Sequence, residues 1–277
     1  MIIWALFDSG NGCYKQVVEK HFPDVEIYSV GLDIENKNDH FIHLNLADFS
    51  EFFGGKGVFG TLDKLPRPDV ILASPPCESW SQMLNIKNGT FAWQMEQEVT
   101  CLLDNHTVPT PFTIQTRENF YKAKKKLNAH QGFKENGQFE KQVKSRINGE
   151  LTVLKTLEII KKYEPRIWII ENPAYGRLWQ YLRESYSFRG IENLVCYNDY
   201  DTSFSQKPTI FMSNIYLDLV ATRQKSAVII RGGKCKTEKR KCIRGYNERS
   251  NIPLPLVRDI IKVCKSELEK SKESEHK

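Results

Sequence analysis

Apolar runs of strand length recur along the chain at Ile2 to Phe7, Glu26 to Leu32, Val70 to Ala73, Ile167 to Ile170 and Thr209 to Ser213. Between several of them the spacing changes to that of helices. Asn11 to His21 is one such segment, and Leu151 to Tyr163 is the other, with Leu151, Leu154, Leu157 and Ile160 on one face. Near-continuous apolar strands alternating with helices predict an α/β fold, a mostly parallel sheet with helices on both faces. Pro253 to Lys265 resumes an amphipathic pattern, and Ser266 to Lys277 reads as a charged, frayed tail.

Two stretches break the alternation. Residues 85–149 are polar, Lys-rich and dotted with aromatics, and Pro109 and Pro111 are expected to interrupt any long helix there. The other runs from Thr222 to Arg249 and carries a Gly232-Gly233 turn. The expected organisation is a first part of the core over 1–84, an insertion over 85–150, a second part of the core over 151–218, a short segment over 219–248, and a closing helix with tail over 249–277. At 277 residues this suits one large core with insertions better than two full domains.

Composition narrows the function classes. With 40% hydrophobic and 27% charged residues and no apolar run near the ~20 needed to span a bilayer, a soluble chain without a membrane partner is expected. The opening Met1-Ile2-Ile3-Trp4-Ala5-Leu6-Phe7 lacks the basic start of a signal segment and is read as a first buried strand. Seven cysteines without a Cys-x-x-Cys pair indicate neither a disulfide framework nor a metal site, so a reducing, cytoplasmic setting is expected, in which a free thiol can act as nucleophile. The net charge is only +6, but Lys and Arg cluster: eight against two Glu between Lys122 and Arg146, and ten against two between Arg223 and Arg249. Such segments can neutralise a nucleic acid backbone, though a solvated surface would look the same.

Chemistry-bearing residues gather at expected strand ends. Phe7-Asp8-Ser9-Gly10-Asn11-Gly12-Cys13 closes the first strand, where glycines let the chain turn tightly and bring a ligand against the next helix. Asp33 ends the second strand about 20 residues on, placed to accept from ribose hydroxyls, and Asp48 follows the next apolar stretch. This set suits a nucleoside-bearing cofactor such as S-adenosylmethionine or NAD; turn glycines and capping aspartates are the plainer alternative. Ser74-Pro75-Pro76-Cys77 follows the strand Val70 to Ala73, and its two prolines hold the thiol in a fixed direction. Glu171-Asn172-Pro173 follows Trp168-Ile169-Ile170 and offers a carboxyl group able to bond a base edge.

In this order, the glycine turn, strand-end acids, Pro-Pro-Cys and Glu-Asn resemble the DNA cytosine-5 methyltransferases over most of residues 1–83 and 151–265. Arg249-Ser250-Asn251-Ile252-Pro253 before the last helix looks like the family's Gly-Asn-Ser-Val-Pro element. The resemblance implies a Rossmann-like fold binding S-adenosylmethionine, with Phe7, Gly10, Gly12, Asp33, Asp48, Pro75 and Asn251 holding the cofactor. It implies that Cys77 adds to carbon 6 of a flipped cytosine while Glu171 bonds the ring near N3. DNA is the implied substrate of a monomeric enzyme, with a cognate restriction endonuclease as a second candidate partner.

The departures from the family are specific. The glycine turn has one residue more than usual between Phe7 and Gly10, and Pro173 stands where Val is common. In place of a Gln-x-Arg-x-Arg element the chain has Ser205-Gln206-Lys207-Pro208-Thr209, so Gln206 and Lys207 are its candidate equivalents. The segment between Asn214 and Asn251 is short for a target-recognition region. Recognition is therefore expected either in that reduced segment or in the insertion, with Lys124, Lys125 and Lys126 for phosphates and Trp93, Phe120, Tyr121 and Phe133 for stacking. A packed subdomain or flap is the alternative reading of the insertion. Alternative functions are RNA cytosine-5 methylation and an inactive nucleic-acid-binding relative; exocyclic amino methylation is disfavoured because it needs no cysteine.

Overall fold

The computed structural model describes residues 1–8, 12–32, 40–80, 93–94, 97–100, 107–110, 113–114, 116–127, 138–222, 224–230, 241–243 and 250–275. The chain forms two compact units, one of residues 1–75, 153–174 and 190–277 and the other of 76–152 and 175–189.

The first unit is built on a seven-stranded sheet from β1 (Ile2–Leu6), β2 (Glu26–Gly31), β3 (Phe41–His43), β4 (Val70–Ala73), β9 (Ile167–Pro173), β10 (Ile191–Cys196) and β11 (Pro208–Ser213). Their order is β10-β11-β9-β4-β1-β2-β3. The pairs β9·β4, β4·β1, β1·β2 and β2·β3 are parallel, while β11 runs antiparallel to both β9 and β10. The α/β class and mostly parallel sheet expected from the strand-helix alternation are thus observed.

Side-chain alternation gives each sheet face its own helices. Ile3, Ala5, Val70, Leu72, Ile167 and Ile169 pack in one cluster with α1 (Cys13–His21) and α6 (Leu254–Glu275). Trp4 points the other way, 4.6 Å from the ring of Tyr163, which ends α4 (Gln138–Tyr163). The short α2 (Phe59–Leu62) also lies in this unit, and its Phe59 ring sits 6.4 Å from that of Tyr163. Burying each large apolar side chain contributes roughly 1.5–3 kcal/mol, so both faces hold the sheet.

Three features differ from the sequence expectation. Residues 266–275 are helical rather than frayed, because Leu256, Ile260, Cys264 and Leu268 recur every four positions and keep one face of α6 buried. The helix expected over Leu151 to Tyr163 begins at Gln138, its first half disguised by polar residues. Strand β10 was not anticipated, since Glu192 and Asn193 interrupt its apolar run. Asn193 is buried because its amide donates to the Phe211 carbonyl at 2.9 Å and its oxygen accepts from Leu217 N at 2.8 Å.

The second unit holds β5 (Trp93–Gln94), β6 (Gln97–Thr100), β7 (Thr107–Thr110), β8 (Thr113–Ile114), α3 (Arg117–Leu127), the first part of α4 and α5 (Leu178–Tyr186). Pro109 sits in β7 opposite Glu98. Phe120 and Tyr121 are buried, with Phe120 ringed by Tyr121 and Phe139 at 5.2 and 5.5 Å. They are core residues of this unit, which corrects their expected role in stacking on bases. The side chains of Trp93, Lys124, Lys125 and Lys126, and all of Phe133, lie outside the described residues. Strands β12 (Val228–Ile230) and β13 (Lys241–Ile243) pair in parallel in the first unit. No helix among the described residues is long and apolar enough to cross a membrane.

Lys155 on α4 is fully buried in the first unit, ion-paired to Glu51 and, at 2.9 Å, to Glu158, with its ammonium 3.9 Å from the centroid of Phe49. Pairing and ring contact offset a desolvation cost of several kcal/mol. Lys155→Ala should lower stability by roughly 3 kcal/mol, the low end for breaking a buried pair because both carboxylates keep some water. Urea unfolding would measure it, and a loss below about 1 kcal/mol would contradict this account.

Candidate active site

Four neighbouring parallel strands share one row near their carboxyl ends. Leu6 pairs with Val30 on one side and Ala73 on the other, and Ala73 pairs with Ile170. The residues just beyond them therefore emerge together at the carboxyl edge of the sheet: Phe7 and Asp8, Gly31, Ser74 and Pro75, and Glu171 and Asn172. Between β1 and β4 the chain order reverses, since β1 leads outward to β2 and β3 while β4 neighbours β9. Open α/β sheets bind ligands at such a switch point.

At the end of β1, Phe7 has φ 60°, a left-handed conformation that costs a non-glycine residue roughly 1–2 kcal/mol. The turn swings the next residue out of strand alternation. Asp8 is buried and accepts a hydrogen bond from Ser29 Oγ at 2.6 Å. The end of β2 passes so close that a Cβ on Gly31 would meet the Asp8 carbonyl oxygen at 2.9 Å, so only glycine fits. Gly12 precedes α1 with φ 52° and brings no side chain over the first helical N–H groups. At the second residue of α1, Tyr14 Oη lies 3.2 Å from Ser74 Oγ, linking the helix to the residue before Pro75. The backbone of Ile252, beside Asn251, bonds the thiol of Cys13, so the 250–253 segment approaches the same helix end. Asn251 itself is partly exposed just before α6.

Of the other expected cofactor residues, Gly10 and Asp33 lie outside the described residues. Asp48 accepts from Ser50 N at 2.8 Å and Ser50 Oγ at 3.2 Å, which caps the turn entering residues Ser50–Phe53.

Strand β9 does not stop at Ile170, as the apolar run suggested, but continues through Pro173 because β11 supplies a partner: Phe211 faces Glu171 and Thr209 faces Pro173. β4 has already ended on the other side. There the Asn172 amide takes over, donating to the Pro75 carbonyl at 2.9 Å. The Glu171 side chain, 10% exposed, lies on the α1 and α6 face. Its Oε1 accepts from Tyr197 Oη at 2.9 Å and lies 3.9 Å from Lys207 Nζ. The same ammonium is 4.8 Å from the centroid of the Tyr197 ring. Burial first, and the nearby Glu171 carboxylate second, hold the phenols of Tyr14 and Tyr197 well above their usual range, so both remain protonated donors. Gln206 is exposed in the loop before β11.

The structure thus joins Glu171 to Lys207, and through Asn172 to Pro75. Sequence reading overlooked Tyr14 and Tyr197 as neighbours of this group. Tyr14 sits on the apolar face of a helix and reads as core, and Tyr197 carries no local signal. Their polar ends acquire meaning only from partners on other elements.

Cys77 belongs to the second unit and is partly exposed. Its carbonyl accepts from Trp80 N at 3.0 Å, closing a turn, and Trp80, fully buried, accepts from Arg177 N at 2.7 Å. Gly149 of α4 lets this turn lie against the helix: a Cβ there would fall 2.8 Å from Ser79 Cβ and 3.3 Å from Trp80 Nε1. Burial pushes the Cys13 thiol up, and burial pushes that of Cys264 up to about 12.

No protein-family model matches the chain, and no curated protein matches it significantly.

Two outcomes follow from this geometry. Iodoacetamide at mildly alkaline pH should modify Cys77 ahead of Cys13, Cys196 and Cys264, since a thiol reacts as thiolate and only where it is reached. Peptide mass spectrometry gives the order, and earlier labelling of any of the three buried thiols would refute it. Gly149→Ala should destabilise by roughly 1–3 kcal/mol through overpacking, outweighing the ~1 kcal/mol that alanine adds to a helix. A raised Tm would show that the turn can yield.

Proposed function

We propose that this chain methylates carbon 5 of cytosine in DNA, with S-adenosylmethionine as donor and Cys77 as nucleophile. The observation that carries the reading is the single row formed by Val30, Leu6, Ala73 and Ile170, with Phe7-Asp8, Ser74-Pro75 and Glu171-Asn172 following it at one sheet edge. Pro75 is followed two residues later by Cys77, and its carbonyl is tied to the neighbour of Glu171.

The residues at the switch point suit a nucleoside-bearing group. The left-handed turn at Phe7, the side-chain-free start of α1 at Gly12 and the close pass of Gly31 leave backbone rather than bulk at the ends of β1 and β2. When bound, S-adenosylmethionine supplies an electrophilic methyl group. Phe7, Gly12 and Asn251, with Gly10, Asp33, Asp48 and Pro75, are the residues proposed to hold it.

In the proposed reaction the Cys77 sulfur donates its electron pair to carbon 6 of a flipped cytosine, and the electrons of the 5,6 double bond become available at carbon 5. Glu171 bonds the ring at N3 and favours its protonation, which makes carbon 6 more electrophilic. Lys207 balances the carboxylate charge, and Tyr197, held protonated, donates to it. After carbon 5 takes the methyl group, its proton leaves to a base, the double bond re-forms and Cys77 departs with its electron pair. DNA is preferred to RNA on the family resemblance, and the basic segments at 122–146 and 223–249 are the proposed phosphate contacts.

Duplex DNA containing 5-fluorocytosine and labelled S-adenosylmethionine should yield a covalent protein-DNA adduct, because fluorine cannot leave as a proton does. Cys77→Ala should form none while still binding the cofactor. Label on adenine would exclude cytosine chemistry, adducts with RNA alone would reassign the substrate, and cofactor binding without any adduct would favour a binding protein.

A further inference from the structure

We infer that Tyr197 is a positioning residue for Glu171, holding Oε1 of its carboxyl group so that Oε2 is the oxygen presented to a bound base. Tyr197 lies in the short turn that ends β10, with its ring against Phe204 at 6.1 Å and 81°. It is 1% exposed, so the phenol has little freedom to leave its place. Its hydroxyl donates to Oε1 at 2.9 Å. The Lys207 ammonium approaches the same oxygen at 3.9 Å while lying over the Tyr197 ring. Among the described residues, then, both close contacts of the carboxyl group fall on one oxygen.

That asymmetry matters because the last torsion of a glutamate is broad and nearly two-fold. A carboxyl group without a fixed donor would exchange its oxygens and tilt against an incoming ring. One bond to a buried phenol selects a single orientation, and the residual 10% exposure of the side chain leaves room for one further partner. Tyr14 of α1 approaches from the other side, where its phenol bonds Ser74 rather than the carboxylate. The role assigned to Oε2 rests on the methyl-transfer reading; the bond between Tyr197 and Oε1 does not.

The test is a double-mutant cycle on the full-length chain with Tyr197→Phe and Glu171→Gln, read by single-turnover methylation and by the NMR resonance of the buried tyrosine hydroxyl. Tyr197→Phe should lower kcat about 10- to 100-fold with KM for DNA unchanged, and should cost nothing further in the Glu171→Gln background. The hydroxyl resonance should vanish in Tyr197→Phe and move in Glu171→Gln. A kcat within about two-fold of the parent, or an equal loss in both backgrounds, would overturn the inference. Failure of the methylation reading would show instead as a parent protein that modifies no cytosine. The hydroxyl resonance then decides: movement in Glu171→Gln supports the positioning role, and an unchanged position, or no such resonance, overturns it. If Tyr197→Phe does not fold, the Glu171→Gln resonance gives the same decision.

Discussion

Everything proposed for this protein depends on the hydrogen-bonded row Val30–Leu6–Ala73–Ile170. Parallel strands share no hairpin that could set their offset, so their register comes from the ladder and from matching apolar faces. A slip of one residue at β9 would turn Glu171 toward the face that carries Trp4 and remove it from Tyr197 and Lys207. The same slip would bury Asn172 on the wrong side and release the Pro75 carbonyl. The core residues Ile167 and Ile169, almost fully enclosed, are what make that slip costly.

Among the described residues of the first unit, two lysine-carboxylate pairs handle charge differently, and the contrast distinguishes scaffold from proposed site. Lys155 is fully enclosed, and its two carboxylate partners and the Phe49 ring account for its charge within the fold. Lys207 repeats the pattern with Glu171 and the Tyr197 ring, but at a looser 3.9 Å and with both charged side chains still reached by water. A carboxylate with one oxygen held and some exposure left is suited to a further hydrogen bond. Loose pairing is also less stabilising, which is compatible with the ligand-facing role proposed for Glu171.

In the second unit, the segment that carries Cys77 is organised by Trp80. The indole is buried, the Cys77–Trp80 turn closes on it, and Arg177 ties the turn to the chain entering α5. Gly149 is a poor helix former in the middle of a 26-residue helix, and the space it leaves is taken by Ser79 and Trp80. The aromatic residues Phe120 and Tyr121 are spent on the interior of this unit. Under the proposed function, the basic 223–249 segment and other residues of the insertion are the remaining candidates for contacting DNA.

Amphipathic period and apolar runs were enough to place β1, β2, β4, β9, β11, α1 and the start of α6, because each has a face that local spacing reveals. Turn chemistry alone pointed to the Gly12, Pro75 and Glu171 positions. Strand β10 was hidden because its polar Asn193 is satisfied by distant backbone, and the first half of α4 because its many polar residues mask the helical period. The sequence by itself determined the α/β class and which residue types stand at strand ends. Only the tertiary structure decided that Leu6, Ala73 and Ile170 stand in one row, that β9 runs on past β4, and that Tyr197 bonds Glu171. The physical reason is the same in each case: register and hydrogen-bond partnership are properties of pairs of segments, and no single segment encodes its partner.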